Sequence, residues 1–325
     1  MVYAVRVHTF GGPDVMRWEE VELGRPGRGE VRLRHTAAGV NYIDCLKRSG
    51  RYAVPLPLPS GIGDEGAGVV EETGPGVTEV KAGDRVAYAG WPGSYAEARL
   101  IAAERLVKLP TGIADQQAAA MMLKGLTAHY LLRRTYKVQP GDAVLFHAAA
   151  GGLGLILCQW AKHLGATVIG TASNDGKAAL ARAHGCDHVI VYTRDDFVRA
   201  VNDITGGKGV HAVYDGVGKD TFHKSLDCLR PRGMIVSIGQ TSGPIPPLDV
   251  AVLAPKGSLY VARTALVHHT ETRADLLGAA AELFEVVQSG AVKIQVNQTY
   301  PVRDVVRAHA DLEQRRTTGS SILTM

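Results

Sequence analysis

The run Ala149-Ala150-Gly151-Gly152-Leu153-Gly154 follows directly on the apolar segment Ala143–His147 and opens a helical stretch, Gly152–Leu164. Its spacing is that of G-x-G-x-x-G with Ala in the first position. A strand, a tight glycine turn and a helix starting on that turn make the first half of a βαβ unit. Gly151 lets a backbone approach a pyrophosphate, and Gly154 lets the helix pack closely on the strand. The helix start adds N–H donors and a positive dipole end. The same region is an apolar run from Ala143 to Ala161, but His147, Gln159 and three Gly interrupt it. Strand–turn–helix therefore displaces a membrane span.

The pattern continues downstream. Strands are expected at Ala143–His147, Thr167–Thr171, His188–Tyr192, Ala212–Asp215 and Gly233–Gly239. Helices are expected at Gly152–Leu164, Asp175–His184, Phe197–Thr205 and Thr221–Leu229. Such alternation implies a doubly wound parallel sheet. The chain before it is different. Val2–Val7, Val31–His35, Gly66–Thr73 and Arg85–Tyr88 read as short strands punctuated by Gly and Pro, which suggests a compact β-rich barrel. A helix rich in Ala, Leu and Met is expected from Ala118 to about Arg134. After Leu266 come a long helix at Arg273–Ser289, another at Val302–Gln314 and a last strand at Ser321–Leu323.

Length and composition fit this α/β reading. The chain of 325 residues has room for about two domains. It is 46% hydrophobic and carries 36 Lys and Arg against 32 Asp and Glu, a net +4. The basic residues are scattered, so neither nucleic acid nor a membrane surface is an expected partner. Cys45, Cys158, Cys186 and Cys228 form no CxxC and no zinc spacing, and read as incidental thiols of a reducing cytoplasm. Met1–Arg6 has no signal-peptide core.

The second strand of the βαβ unit sets the cofactor. An NAD site places Asp or Glu at the tip of that strand. Here the tip reads Thr171-Ala172-Ser173, with Lys177 following and Tyr192 closing the next strand. A small polar residue and a cation suit a 2′-phosphate, so NADPH is expected over NADH. Asp175 is either a ribose ligand or a helix cap.

Gly141-Asp142, Leu145, Ala149–Gly154, Gln159 and Lys162 together resemble the signature of quinone oxidoreductases related to zeta-crystallin, within the medium-chain dehydrogenase/reductase superfamily. Gly39–Asp44 with Arg48–Gly50, Leu123–Ala128, Val213–Gly218 and Gly257–Tyr260 are similar to further segments of that family, so the resemblance spans the chain. It implies a GroES-like catalytic domain at residues 1–125, a Rossmann domain at 126–262 and a return to the catalytic domain at 263–325. It also implies a distributed NADPH site. Tyr42, Ile43, Asp44, Cys45 and Leu46 of the first active-site loop, with Thr127, would lie near the nicotinamide and phosphates. Gly151, Gly152 and Leu153 would lie under the pyrophosphate. Ser173, Asn174, Lys177 and Tyr192 would surround the adenosine ribose. Val217, Gly239, Gln240, Thr241, Ser242, Ala265, Leu266 and Val267 would line the nicotinamide side, and Arg315 would close over the cofactor. Relatives often carry an aromatic at the position of Leu46.

Zinc-dependent alcohol dehydrogenases of the superfamily use Cys, a His–Glu pair and a second Cys. Gly63-Asp64-Glu65-Gly66 lacks the His, and Cys45 has no second thiol, so no metal is expected. An electron-poor quinone needs little activation beyond positioning and oxyanion stabilisation. Asn41 and Thr127 are the leading donors among Asn41, Tyr42, Tyr52, Lys124 and Thr127; Tyr52 is either a pocket ring and hydroxyl or a packed aromatic. The Tyr52–Pro59 stretch is a substrate lip or a rigid connector, and His268-His269 is expected on a surface loop. The resemblance further implies a homodimer joined through Ser258–Ala262. A reductase of conjugated enones or enals uses the same parts and is the alternative activity.

Overall fold

The computed structural model describes Met1–Met325. It divides into two compact units: Met1–Leu126 with Thr270–Gln288 and Ile294–Met325, and Thr127–His269 with Ser289–Lys293.

The first unit begins with β1 (Val2–Val7), β2 (Met16–Val21) and β3 (Glu30–Val40), then α1 (Tyr42–Arg48) and β4 (Ser60–Gly61). There follow β5 (Glu65–Thr73), β6 (Arg85–Ala89), β7 (Ala98–Ala102), β8 (Val107–Lys108) and α2 (Asp115–Tyr130), whose last turn belongs to the second unit. That unit holds β9 (Ala143–Phe146), α3 (Gly152–His163), β10 (Thr167–Ala172), α4 (Asp175–Ala183), β11 (His188–Val191), α5 (Phe197–Thr205), β12 (Val210–Asp215), α6 (Phe222–Ser225), β13 (Leu229–Ser237), β14 (Tyr260–Arg263) and α7 (Leu266–His269). The chain then returns to the first unit with α8 (Arg273–Gln288), β15 (Val296–Pro301), α9 (Val305–Glu313) and β16 (Ser320–Thr324).

The second unit is a six-stranded sheet in the order β11-β10-β9-β12-β13-β14, parallel at every pair. This is a doubly wound dinucleotide-binding order, with the reversal between β9 and β12. Val144, Leu145 and Phe146 are buried on both faces, as a central parallel strand requires. Leu145, Ile169, Val213 and Ile235 share one core with Phe197, Val201 and Phe222. The helices start where caps allow. Asn174 accepts from the Lys177 N–H, and Asp196 accepts from the Val198 and Arg199 N–H groups. Gly206, at φ 60°, ends α5.

The first unit has a three-stranded sheet β2-β1-β4 and a seven-stranded sheet β15-β16-β3-β5-β6-β8, with β7 also paired to β3. Val31, Leu33, Val70, Val86, Tyr88, Ile101 and Leu106 form one core. Val5, Val7, Val40, Ile62, Tyr95 and Leu323 form another. The GroES-like and Rossmann architecture expected from the sequence is therefore present.

Several local expectations need correction. Residues 42–46 are not loop but most of α1, started by the Asn41 N–H donating to Asp44 Oδ2 at 2.8 Å. The helix expected at 118–134 starts at Asp115 and widens to a π-helical turn at Leu131–Thr135, where the Tyr136 N–H reaches Leu131 O at 3.2 Å. The helix expected at 221–229 is α6 followed by a tighter turn, Leu226–Cys228. His268 and His269 lie in α7, and the His269 ring stacks on Tyr130 at 4.3 Å. With Arg134 Nη1 donating to His269 O at 3.0 Å, this keeps the second unit together past the expected end at 262. Gln159 holds the brief return of Ser289–Lys293, exchanging two hydrogen bonds with the Lys293 backbone at 2.9 and 3.1 Å. No helix is long and apolar enough to cross a membrane.

Candidate active site

In the second unit every candidate residue except Thr127 follows the carboxyl end of a strand. Gly151, Gly152 and Leu153 follow β9, Ser173 follows β10 and Tyr192 follows β11. Val217 follows β12, Gly239–Ser242 follow β13, and Ala265–Val267 follow β14. Thr127 lies in α2. The rim at the carboxyl ends of a doubly wound sheet is where such folds take ligands.

The glycine turn is shaped by exclusion. Ala148 adopts φ 57°, and the Gly151 N–H bonds Ala148 O at 3.0 Å. A Cβ on Gly154 would stand 2.5 Å from Ala148 O and 2.7 Å from Ala149 O. One on Gly151 would stand 3.3 Å from Ala148 O. No side chain caps α3, so its first-turn N–H groups and dipole end are left without a capping side chain.

At the tip of β10, Ser173 is half-buried and its carbonyl accepts from Thr193 Oγ1 at 3.0 Å. Asn174 is the cap of α4, so its carboxamide already serves the backbone. Asp175 is exposed and paired with Arg194, at 3.3 and 3.4 Å. Asp175 is thus neither the cap nor an acid without a partner. Arg194 is a cation that sequence reasoning missed. Arg194 also faces Asp195 at 3.7 Å, Lys177 lies in the first turn of α4, and Tyr192, which follows β11, is 41% exposed. The arrangement suits a ribose phosphate. Farther along the rim, the Val217 carbonyl accepts from both the Ser242 N–H and Ser242 Oγ, at 2.9 and 2.8 Å.

In the first unit, α1 turns the candidate residues in two directions. Tyr42, Ile43 and Leu46 are half-buried, whereas Asp44 and Cys45 point into the core. Cys45 Sγ lies 3.5 Å from His309 Nδ1, and burial pushes its thiol far up. Asn41 Nδ2 donates to Glu65 Oε1 at 2.9 Å. Glu65, with no exposure, also takes Lys124 Nζ at 2.6 Å and the Leu123 N–H at 2.7 Å. Beside it Lys47 Nζ is 2.5 Å from Asp64 Oδ2 and 5.3 Å from the centroid of the Tyr52 ring. Each carboxylate of the Asp64-Glu65 pair therefore has its own buried ammonium. No group of three or more His, Cys, Asp or Glu side chains in the chain is arranged to hold a metal ion. Arg315 follows α9 in the left-handed region, φ 59°.

Asp44 Oδ2 accepts from the Asn41 N–H and from the Tyr95 hydroxyl at 2.7 Å. Burial first, and then the charge of Asp64, push its carboxyl up to about 8. The native state thus keeps a proton that the unfolded chain releases above its ordinary value of 3.8. Stability from this group is full below that value and is lost as pH rises toward about 8. Asp44→Asn should therefore gain stability relative to the parent between pH 5 and pH 8. Urea unfolding of both proteins at the two pH values measures this. An unchanged difference would show that Asp44 does not hold the proton.

Residues 27–111 match the family described as alcohol dehydrogenase GroES-like domain, and residues 152–282 match zinc-binding dehydrogenase. A quinone oxidoreductase of Pseudomonas aeruginosa is 49% identical over 99% of both chains. Quinone oxidoreductase 1 of Escherichia coli is 47% identical over 99% of both. The chain belongs to the quinone oxidoreductase family. The structure of the Escherichia coli quinone oxidoreductase complexed with NADPH superimposes with a TM-score of 0.97 at 47% identity, covering 99% of this chain and all of that one. A 2-haloacrylate reductase of a Burkholderia species is 49% identical over 99% of both chains.

Membership of a quinone oxidoreductase family sharpens the residue inventory. Sequence reasoning missed Lys47, Asp64 and Arg194 as members of charged pairs, and Glu65 as the hub of three donors. The Asn41-x-x-Asp44 spacing was a visible sign of the α1 start. Nothing along the chain signals that Cys186 Sγ lies 3.3 Å from Cys158 Sγ, both buried.

Proposed function

We propose that this chain is an NADPH-dependent oxidoreductase of quinones that works without a metal. The observation that carries the cofactor reading is the β10 tip, where Ser173 follows the strand, Lys177 stands in the first turn of α4, and the nearby acid, Asp175, is already ion-paired with Arg194. The glycine turn over α3 fits a pyrophosphate, since a side chain at Gly154 would strike the Ala148 carbonyl. Bound NADPH supplies the hydride.

The chain's own residues hold, orient and polarise. Gly151, Gly152 and Leu153 present N–H groups to the pyrophosphate. Val217, Gly239–Ser242 and Ala265–Val267 flank the nicotinamide, and Tyr42, Ile43, Leu46, Thr127 and Arg315 complete the cofactor's surroundings, while Asp44 and Cys45 of the same helix face the core. Asn41 and Thr127 stabilise the developing oxyanion, with Tyr52 bordering the substrate. Asn41 has one amide hydrogen engaged by Glu65, which fixes the direction of the other. Both carboxylates of the Asp64-Glu65 pair are neutralised by Lys47 and Lys124, which supports a mechanism in which this pair holds no metal.

The second reading is reduction of a conjugated acid, enone or enal, and the resemblance to 2-haloacrylate reductase favours it. Nicotinamide oxidation should be followed with benzoquinone, phenanthrenequinone and a short enone, with each cofactor, with and without chelator. Quinone turnover that resists chelator and favours NADPH over NADH by roughly tenfold or more is expected. Turnover of the enone alone would move the function to the second reading. We place the enzyme in the cytoplasm as a homodimer joined along β14. That strand ends the sheet order, and its Tyr260 and Val261 are 54% and 39% exposed. A monomeric mass by light scattering would rule out the dimer.

A further inference from the structure

His147 is the last residue before the glycine turn, yet its ring faces away from solvent and is only 6% exposed. Its Nδ1 lies 3.1 Å from Thr171 Oγ1, and its Nε2 lies 2.9 Å from Ser225 Oγ. Ser225 donates its own hydroxyl hydrogen to Thr221 O at 2.9 Å. The Ser225 oxygen is therefore the acceptor, and Nε2 of His147 carries the hydrogen. Nδ1 is then the acceptor for the Thr171 hydroxyl. Thr221 in turn donates to the Asp215 carboxylate at 2.8 Å, and Asp215 accepts the Val217 and Gly218 N–H groups at 2.8 and 3.0 Å. The backbone repeats the connection: the His147 N–H bonds Tyr214 O at 3.2 Å, and the Ala149 N–H bonds Thr171 O at 3.0 Å.

The bonds run in one direction, from Thr171 to His147, to Ser225, to Thr221, to Asp215. They tie the carboxyl ends of β10, β9 and β12. Each tie ends within a few residues of a segment placed around the cofactor: Ser173 beyond Thr171, Gly151 beyond His147, and Val217 beyond Asp215. Val217 O then carries the connection to Ser242. A neutral imidazole suits this place, because it offers one donor and one acceptor in fixed directions. Burial lowers the basicity of His147, which keeps it neutral against the opposing pull of Asp215. The Phe197 ring, edge-on at 5.0 Å, shields it.

We infer that His147 is a positioning residue for the dinucleotide, a buried pin that sets the spacing of the adenosine, pyrophosphate and nicotinamide segments relative to one another. This rests on the NADPH reading above and adds a residue that would touch no part of the ligand. Buried networks of this kind hold one arrangement because every member is satisfied.

The test is NADPH affinity by fluorescence titration of the whole enzyme, alongside thermal unfolding and steady-state kinetics. His147→Phe keeps a flat ring and removes both bonds. It should weaken NADPH binding by about tenfold or more and raise KM for NADPH, with KM for quinone within about twofold of the parent. His147→Gln, which still offers an N–H toward Ser225, should recover part of that loss. Thr171→Val and Ser225→Ala each delete one hydroxyl and should each weaken NADPH by about threefold or more. Combined with His147→Phe, neither should add to its effect, since all three act through one ring. If His147→Phe does not fold, the two hydroxyl variants carry the test. A lowered melting point with NADPH affinity unchanged would reduce His147 to a fold-stabilising residue and overturn the inference. Additive effects would overturn it too. A parent enzyme that binds no NADPH would instead overturn the functional reading on which the inference stands.

Discussion

Gly154→Ala should lower NADPH affinity by roughly one to two powers of ten while leaving the chain folded. The new methyl would meet Ala148 O at 2.5 Å and Ala149 O at 2.7 Å, and neither is a flexible side-chain end. Relief requires α3 to part from the turn or the turn to rise into the space reserved for the pyrophosphate. Overpacking of this kind costs about 1–3 kcal/mol, and the bound state loses most, because the turn must then hold one geometry. Gly278→Ala is the matched control. It lies inside α8 with nothing within 4 Å of its added carbon, so helix propensity alone should stabilise it by about 0.5–1 kcal/mol. Isothermal titration with NADPH compares both variants with the parent. Binding by Gly154→Ala within threefold of the parent would mean that this turn does not carry the pyrophosphate.

Glu65→Ala should cost about 3–5 kcal/mol of stability, the range for breaking a buried ion pair from one side. Three donors converge on this carboxylate: Lys124 Nζ, the Leu123 N–H and Asn41 Nδ2. Without it, an ammonium that is 8% exposed has no counter-charge. Removing both charges is a different experiment. Glu65→Leu with Lys124→Met leaves no buried charge uncompensated and should recover part of the loss. Urea unfolding measures both. A single-variant cost below about 1 kcal/mol would show that water reaches Lys124 and that the cluster is looser than its distances indicate.

These two predictions draw on different kinds of legibility. Gly154 could be read from the sequence, because a glycine at fixed spacing after an apolar strand has few uses. The parallel sheet was legible for a related reason: strands buried on both faces are unbroken apolar runs, as in Val144–Phe146, whereas the caps that start the helices between them, Asn174 and Asp196, emerged only in the structure. The network around Glu65 was not legible. Leu123 and Lys124 lie far along the chain from it, and local pattern says nothing about which lysine meets which carboxylate. Asp175 shows the same limit. Its sequence context allowed a cap or a ribose ligand, and its ion pair with Arg194 depends on how β11 runs beside β10. Strand β15 escaped notice because only Tyr300 of its six residues is buried. α1 was read through the family's loop, although Asn41 and Asp44 stood at capping distance.

The position of β16 bears on how the chain is made. Ser320–Thr324 pairs with β3 on one side and β15 on the other, so it is an interior strand of the first unit's larger sheet. All of Thr127–His269 is synthesised before it. On the ribosome, the second unit has nearly all its sequence while the first still lacks a central strand. Vectorial synthesis therefore favours a nucleotide-binding unit that folds early, with β3 waiting for a partner almost the whole chain away. During that wait β3 already has β5 and β7, and only its Ala37–Val40 end lacks its partner, so misassembly during production should concentrate on that short edge.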